Sequence, residues 1–445
     1  MKNITSILCA FMLLCASFFA FSAFSQTTEK GYNIVYKTQN SNDKYLYLTG
    51  IYGNVPYVVD SAKYSKKGYL FSHSKQILPD GFYYIKTKNG ATLLEFFVEQ
   101  NRKFTVEETE EGTKFHNSEE NVVYQQFKND FWAENDLRVY QYTSPETLLS
   151  KYITAQFIPV HVPSFNWGSH EGREGAAQQY YKFLIEHYYD NVDFKDTRLM
   201  YTPLDIDLKE FFMESLYPQT ASNVIKSVDN LFKRILDENP TPEQIDVRDF
   251  YLKKLIHLYI NAEPKFDEVF IYLVDNYVSK ITQSTFISTS ETDVFKRVAD
   301  RKRKTLVGEL APVFESYTIE NVKISTAEIK AEYVVLWFWD PDCEHCTEYT
   351  PILYDFYSKY RDLYHFEVLA CSVTEDYDRW IKLSKEYYLW LNTSYAVKAP
   401  NYDATDYFNI YDTPAIFILD KKHRIVARQF PLDELFEVFE TLQNN

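Results

Sequence analysis

Cysteine is scarce in this chain: five in 445 residues. Two of them, Cys9 and Cys15, lie in an N-terminal apolar stretch expected to be removed, which leaves Cys343, Cys346 and Cys371. Three thiols, two of them close together, exclude a scaffold stapled by distant disulfides. Positive charge is also short: 47 Lys and Arg against 63 Asp and Glu give a net −16 at neutral pH. Acidic charge spread along the chain argues against nucleic acid and against an anionic lipid surface as partners. Beyond residue 25 no run is long and apolar enough to cross a bilayer, so the mature chain is expected to be soluble. Glycine nearly disappears between 118 and 305, except within 164–175. Aromatics are the opposite case, with 38 Tyr and 34 Phe scattered through every kind of segment. Core packing and half-buried surface explain them better than a sugar-binding platform.

The first 25 residues read as a secretory signal peptide. Lys2 precedes an apolar run over 4–25, and Ala23-Phe24-Ser25 gives a small-x-small cleavage site before Gln26. The alternative is an uncleaved anchor. Met12-Leu13-Leu14 before Cys15 lacks the small residues of a lipoprotein site. The expected address is a bacterial periplasm or cell envelope.

Three segments follow. Residues 27–116 carry short alternating runs at 32–36, 44–48, 55–59, 68–72, 81–86, 91–99, 102–107 and 113–116. Turn residues such as Pro79-Asp80-Gly81 and Lys88-Asn89-Gly90 separate them, and the even spacing predicts an antiparallel β-sandwich. No cluster of chemistry-bearing residues stands out there, so it reads as a binding or interaction module. Residues 118–305 turn to helical periodicity, at 121–140, 175–189, 220–238, 242–261, 266–281 and 291–305. Start signals at Thr241-Pro242-Glu243 and Ser290-Glu291 support an all-α domain. The stripe Val224, Val228, Leu231, Phe232, Ile235 is a core face. The stretch 164–175, with Trp167, His170, Glu171, Arg173 and Glu174, reads as a solvated connector, with a ligand-facing loop as the alternative. Residues 306–445 alternate strands (334–339, 366–372, 415–419, 425–429) with helices (343–360, 377–386, 432–441), which predicts a mixed α/β sheet. The overall class is thus multidomain α+β.

The chemistry concentrates in Trp339-Asp340-Pro341-Asp342-Cys343-Glu344-His345-Cys346, between a buried strand and a helix. A thiol at a helix N-terminus meets unpaired N–H groups and the positive end of the dipole, which favour the thiolate. A second thiol one turn further in can close a disulfide with it. A lone C-x-x-C is weak evidence, and two rival uses lack their parts. No second C-x-x-C or spaced His pair completes a zinc set, and Thr347 stands where c-type haem attachment needs His. No cofactor and no metal is expected.

Several distant motifs join this one. They are Gly308-x-x-Ala311-Pro312-x-Phe314, the FWDPDCEHC site, Pro351 eight residues after Cys343, and YDTPAIFILD with Thr413-Pro414 before a strand. Together they resemble the thioredoxin fold, and more narrowly the TlpA-like and ResA-like periplasmic thiol:disulfide oxidoreductases. The resemblance covers 306–445; the upstream β and helical segments are similar to envelope proteins in which such domains of undefined role precede a thioredoxin domain. It implies Cys343 as attacking thiol and Cys346 as resolving thiol. It implies a cis-proline at Pro414, whose preceding residue Thr413 offers backbone to a substrate. Trp339 resembles the tryptophan packed near the site. Glu344 and His345 either tune the pair, His345 favouring the thiolate if protonated and Glu344 opposing it, or are both solvated and matter little. Two positions depart from the pattern. Trp337 stands where an acid or amide is common, and Tyr349 where a Glu is common, so proton transfer at Cys346 is left to Glu348, Tyr349 or water. Cys371 reads as a small core residue, with a regulatory partner for Cys343 as the alternative.

The resemblance implies dithiol–disulfide exchange on disulfide-containing client proteins of the envelope, reduction more than oxidation, with a membrane thiol-transfer protein as electron donor. A rival reading is an envelope ligand-binding protein whose thioredoxin domain is mainly structural. Peroxide reduction is disfavoured, since Asp340-Pro341-Asp342 replaces the Thr-containing lead that such enzymes use.

Overall fold

The computed structural model describes residues 31–39, 41, 43–53, 55–110, 112–132, 146–156, 170–204, 219–374, 376–387, 389, 391–394, 407–410 and 412–444. The expected signal peptide with Cys9 and Cys15, Trp167, and residues 133–140 of an expected helix lie outside these. The chain divides into two compact units, 1–160 with 190–206, and 161–189 with 207–445.

Among the described residues, the first unit holds eight strands: β1 (Tyr32–Lys37), β2 (Tyr45–Tyr52), β3 (Val55–Ser65), β4 (Gly68–His73), β5 (Gly81–Lys86), β6 (Thr92–Val98), β7 (Lys103–Thr109) and β8 (Gly112–His116). Period-2 alternation builds them: in β1, Tyr32, Ile34 and Tyr36 are buried while Asn33 and Lys37 face water. The expected antiparallel sandwich is corrected in two respects. The strands are joined by hydrogen bonds into one continuous, half-barrel sheet, in the order β6-β5-β2-β3-β4-β1-β7-β8, with no break into two separate sheets. The pair β1 and β7 is parallel. The eleven-residue β3 pairs with β2 along most of its length and with β4 at its end, so one strand serves both halves. Alternation reports which face is buried but not strand direction, so the sequence carried no sign of the parallel pair. Every strand from β1 to β7 contributes to one core, including Ile34, Leu48, Phe71, Phe96 and Val106. On the other face of β5 and β6, Phe82 and Phe97 stack against Tyr124 of α1 (Glu119–Trp132) and Tyr152 of α2 (Leu148–Thr154). Buried Asn121 pins α1 to β6 by hydrogen bonds with the Phe97 backbone N–H and carbonyl, at 2.7 and 2.8 Å.

The second unit contains α3 (His170–His187), α4 (Ala221–Ile235), α5 (Pro242–Tyr259), α6 (Asp267–Asn276) and α7 (Thr289–Arg303). Helix α3 begins at His170, so 170–175 is helix and not the connector its glycines suggested. The stripe on α4 is core, with each of its five residues at most 2% exposed. Thr241 and Gln244 cap α5 reciprocally, and Ser288 and Glu291 do the same for α7, two residues before the expected start at Ser290.

The rest of the unit is a seven-stranded sheet: β9 (Glu315–Thr318), β10 (Lys323–Ser325), β11 (Tyr333–Trp339), β12 (Phe366–Ser372), β13 (Leu391–Ser394), β14 (Ala415–Asp420) and β15 (Ile425–Arg428), in the order β10-β9-β13-β12-β11-β14-β15. Strands β11, β12 and β13 run parallel, and β14 and β15 run antiparallel. Helix α8 (Glu344–Tyr364) links β11 to β12; α9 (Tyr377–Glu386) and α10 (Leu435–Asn444) complete the layers. Central β11 is buried on both faces, which is why its sequence shows no alternation. Val335, Trp337 and Trp339 pack in the core that includes Leu353 of α8 and Phe439 of α10. Val334, Leu336 and Phe338 enter a second core with Phe314 and Phe408. The edge strand β15 is covered by two segments. Backbone hydrogen bonds join Gly308 and Glu309 to Ile425, at 2.8 and 2.9 Å. The Arg428 side chain donates to Thr305 Oγ1 at 3.0 Å, to the Pro264 carbonyl at 2.7 Å and to Asp267, so the helical part packs directly against β15.

Candidate active site

Cys343 is the N-cap of α8, extended at φ −85° and ψ 117°, and the residues after it wind into helix. The turn that brings it there is closed by the Cys343 N–H donating to the Asp340 carbonyl at 3.1 Å. Its half-buried Sγ accepts the Cys346 N–H at 3.2 Å, one of the first-turn amides that a helix cannot satisfy internally. Its S–H donates to the Thr413 carbonyl at 3.1 Å. The Thr413–Pro414 bond is cis, and Pro414 leads into β14 beside the thiol. One turn into the helix, Cys346 is wholly buried, and its Sγ accepts the Asp340 N–H at 3.5 Å. Both cysteines are thiols rather than a disulfide. Burial, reinforced by a hydrogen bond with Cys343, pushes the Cys346 thiol up to about 12. The arrangement thus pairs an accessible sulfur with a protonated one behind it. The resolution of a mixed disulfide uses that asymmetry.

The remaining expected residues fall into two groups. Trp339 is fully buried in the same core as Cys346. Glu344 is exposed, and His345 and Glu348 lie on the open face of α8, with Nδ1 and the carboxylate 3.9 Å apart and side chains 71% and 64% exposed. His345 also stacks on Tyr349, centroids 6.1 Å apart. Trp337 holds a structural place in the site: its indole N–H donates to Thr350 Oγ1 at 3.2 Å, and that hydroxyl donates to the Cys346 carbonyl at 2.6 Å. Cys371 is buried on β12 opposite Phe338, in the second core, whereas Cys346 belongs to the first. It sits across the sheet from the dithiol, as a core residue does.

Two contributions escaped the sequence. Arg379 of α9 pairs with Asp342 at 2.9 Å and reaches the Pro341 carbonyl at 3.4 Å, tying down the loop before Cys343. Thr350 supports the first turn of α8 from beneath. Neither belongs to a motif; Arg379 is 36 residues from Cys343, and only the sheet brings α9 to the loop.

A helix-capping thiol against the carbonyl before a cis-proline, at the end of a central parallel strand, decides the family of this part of the chain. Residues 331–425 match the thioredoxin-like family model. The C-terminal part of the chain is a thioredoxin-like domain. Upstream, residues 173–305 match a domain of unknown function, DUF5106. No curated protein matches the chain. Among solved structures, the thioredoxin-like domain is similar to a domain of a possible thiol-disulfide isomerase from Cytophaga hutchinsonii. The identity is 27%, over 31% of this chain and 94% of that one, with a TM-score of 0.29. It is also similar to the thioredoxin domain of a thiol-disulfide oxidoreductase from Bacteroides vulgatus, at 24% identity over 31% and 97% of the two chains, TM-score 0.29. A thioredoxin-like protein from Bacteroides caccae aligns at 18% identity over 64% of this chain and 98% of its own, TM-score 0.43.

Proposed function

We propose that the protein is a thiol:disulfide oxidoreductase that reduces disulfides of exported client proteins through Cys343 and Cys346. The observation that carries the reading is the pair itself: Cys343 Sγ half-buried at the helix cap, 3.1 Å from the Thr413 carbonyl, with buried Cys346 behind it. The Cys343 sulfur attacks one sulfur of a client disulfide and the other leaves as a client thiol. Cys346 then gives up its proton and attacks Cys343 Sγ, which releases the second client thiol and leaves a Cys343–Cys346 disulfide. Two electrons pass from the dithiol to the client. An external dithiol must restore the pair, and outside the cytoplasm a membrane thiol-transfer protein fills that role. Export is read from the apolar stretch over 4–25, and a periplasmic or envelope address follows. The reducing direction rests on the sequence likeness to reducing envelope proteins.

The test is a trapping experiment in envelope extracts. Cys346→Ser is expected to accumulate mixed disulfides with client proteins, released by dithiothreitol, because the resolving step is gone. Cys343→Ser is expected to trap none. If neither variant captures a client and both keep full activity in cells, exchange is not the role.

A further inference from the structure

We propose that the helical domain supplies one wall of a client-recognition pocket beside the dithiol, and that this pocket takes a cationic, hydrogen-bond-donating side chain of the client polypeptide. The proposal rests on the exchange reaction above and names the class of client it prefers. A cavity of about 670 Å³ opens next to the site. One side is the thioredoxin-like domain at Pro414, Asn409 and Asp412; the other is the turn between α5 and α6, at Ala262, Glu263 and Pro264. Pro414 follows the very carbonyl that touches Cys343 Sγ. A client chain joined to that sulfur advances roughly 3.3–3.6 Å per residue, so its neighbouring residues reach the cavity mouth within a step or two.

The two walls are fixed to each other. Asp267, at the start of α6, is 2% exposed and binds both Lys302 of α7 and Arg428 of β15. Arg428 also holds the Pro264 carbonyl, the last residue of the helical wall. Lys302, the cation in the lining, shares the Asp267 carboxylate with Arg428, and the lining sets three carboxylates, Glu263, Asp267 and Asp412, against this one ammonium. The remaining polar lining is two carboxylates, Glu263 and Asp412, and the amides of Asn261, Asn409 and Gln429. Asp412 is exposed. Among the described residues Glu263 pairs with Lys265, at 2.7 Å with both side chains more than half exposed, an ion pair of little strength. Asn409 is 5% exposed, held at φ 52°, and its Oδ1 has no hydrogen-bond partner among the described residues. A buried acceptor left unmatched is costly and is satisfied by an incoming donor. A Lys or Arg side chain fits this lining; a Glu meets two carboxylates.

The experiment uses the whole mature protein with dithiothreitol as reductant. Two disulfide-linked peptides differ only by Lys or Glu next to the reactive cysteine, and glutathione disulfide serves as a small reference. The wild type is expected to favour the Lys peptide by about tenfold in kcat/KM. The double variant Glu263→Gln, Asp412→Asn should bring that ratio to within about twofold of unity. Ala262→Trp, which fills the cavity from the helical side, should lower the ratio of peptide to glutathione-disulfide turnover by about tenfold, mainly through KM. Equal rates on both peptides in the wild type, or a ratio unmoved in the double variant, would overturn the pocket. Absence of turnover with every disulfide, glutathione disulfide included, would instead overturn the exchange reaction on which it rests.

Discussion

Cys346 keeps its proton at neutral pH because burial denies a thiolate its solvation, and the hydrogen bond with Cys343 adds to that. A thiol whose pKa rises on folding stabilises the native state while it stays neutral. That stability is complete below the unfolded value near 9 and fades as pH climbs from there toward about 12. At pH 10 the loss amounts to about 1 kcal/mol, since one pH unit past the unfolded pKa is worth about 1.4 kcal/mol. Denaturant unfolding of the fully reduced protein at pH 8 and pH 10 checks this. Cys346→Ala should lose the part of the decline that this thiol causes; an identical decline in the variant would show the thiol to be irrelevant. Trp337 offers a second test at the same scale. Its buried indole N–H depends on Thr350, whose hydroxyl in turn supports the Cys346 carbonyl. Thr350→Val keeps the volume and removes the acceptor, so it should cost about 1–3 kcal/mol in unfolding free energy. A variant as stable as the wild type would show that water replaces the hydroxyl.

At the scale of elements, legibility followed how local the physics is. Strand β11 announced itself because a strand covered on both faces has no polar position, and Tyr333–Trp339 contains none that is charged. The core stripe of α4 was equally plain, since Val224, Val228, Leu231, Phe232 and Ile235 recur at helical spacing and all turn inward. Cys343, Cys346, Thr413 and Pro414 could be named because each sits in a short pattern with its own chemistry. What failed was non-local or weakly patterned. The parallel partnership of β1 and β7 depends on where the chain returns after five intervening strands. The four-residue β13 is too short to show a period, and only its pairing with β12 and β9 makes it a strand. Gly172 suggested a connector, yet α3 includes it, because helix propensity is only a weak prior. The pocket wall was hidden for the same reason. Nothing near Ala262 or Glu263 in sequence points to residues that lie about 150 positions away, and only the docking of α6 on β15 brings them together.

At the scale of the molecule, that docking rests on charge placed where charge is expensive. Asp267, Lys302 and Arg428 have side chains 2%, 3% and 7% exposed, so neither cation is rescued by water if the carboxylate is lost. Breaking such a group by removing one partner costs about 3–5 kcal/mol, far more than an exposed pair would. Asp267→Asn therefore weakens the second compact unit, helical part and thioredoxin-like domain alike. The first unit has its own core around Ile34, Phe71 and Phe96, built from strands that contribute nothing to the other cores. Calorimetry of the whole protein should accordingly resolve the two units. At about 2–4 °C per kcal/mol for units of this size, Asp267→Asn should lower one transition by about 6 °C or more. Phe96→Ala, with an expected cost of about 3–5 kcal/mol, should lower the other. Each variant should leave the transition it does not belong to within a degree or so, since the cores share no residues and substitutions without shared partners act additively. If Asp267→Asn moves both transitions together, the cores unfold as one body. If it moves neither, the buried carboxylate does not hold the helical wall to β15, and the pocket beside Cys343 loses its rigid side.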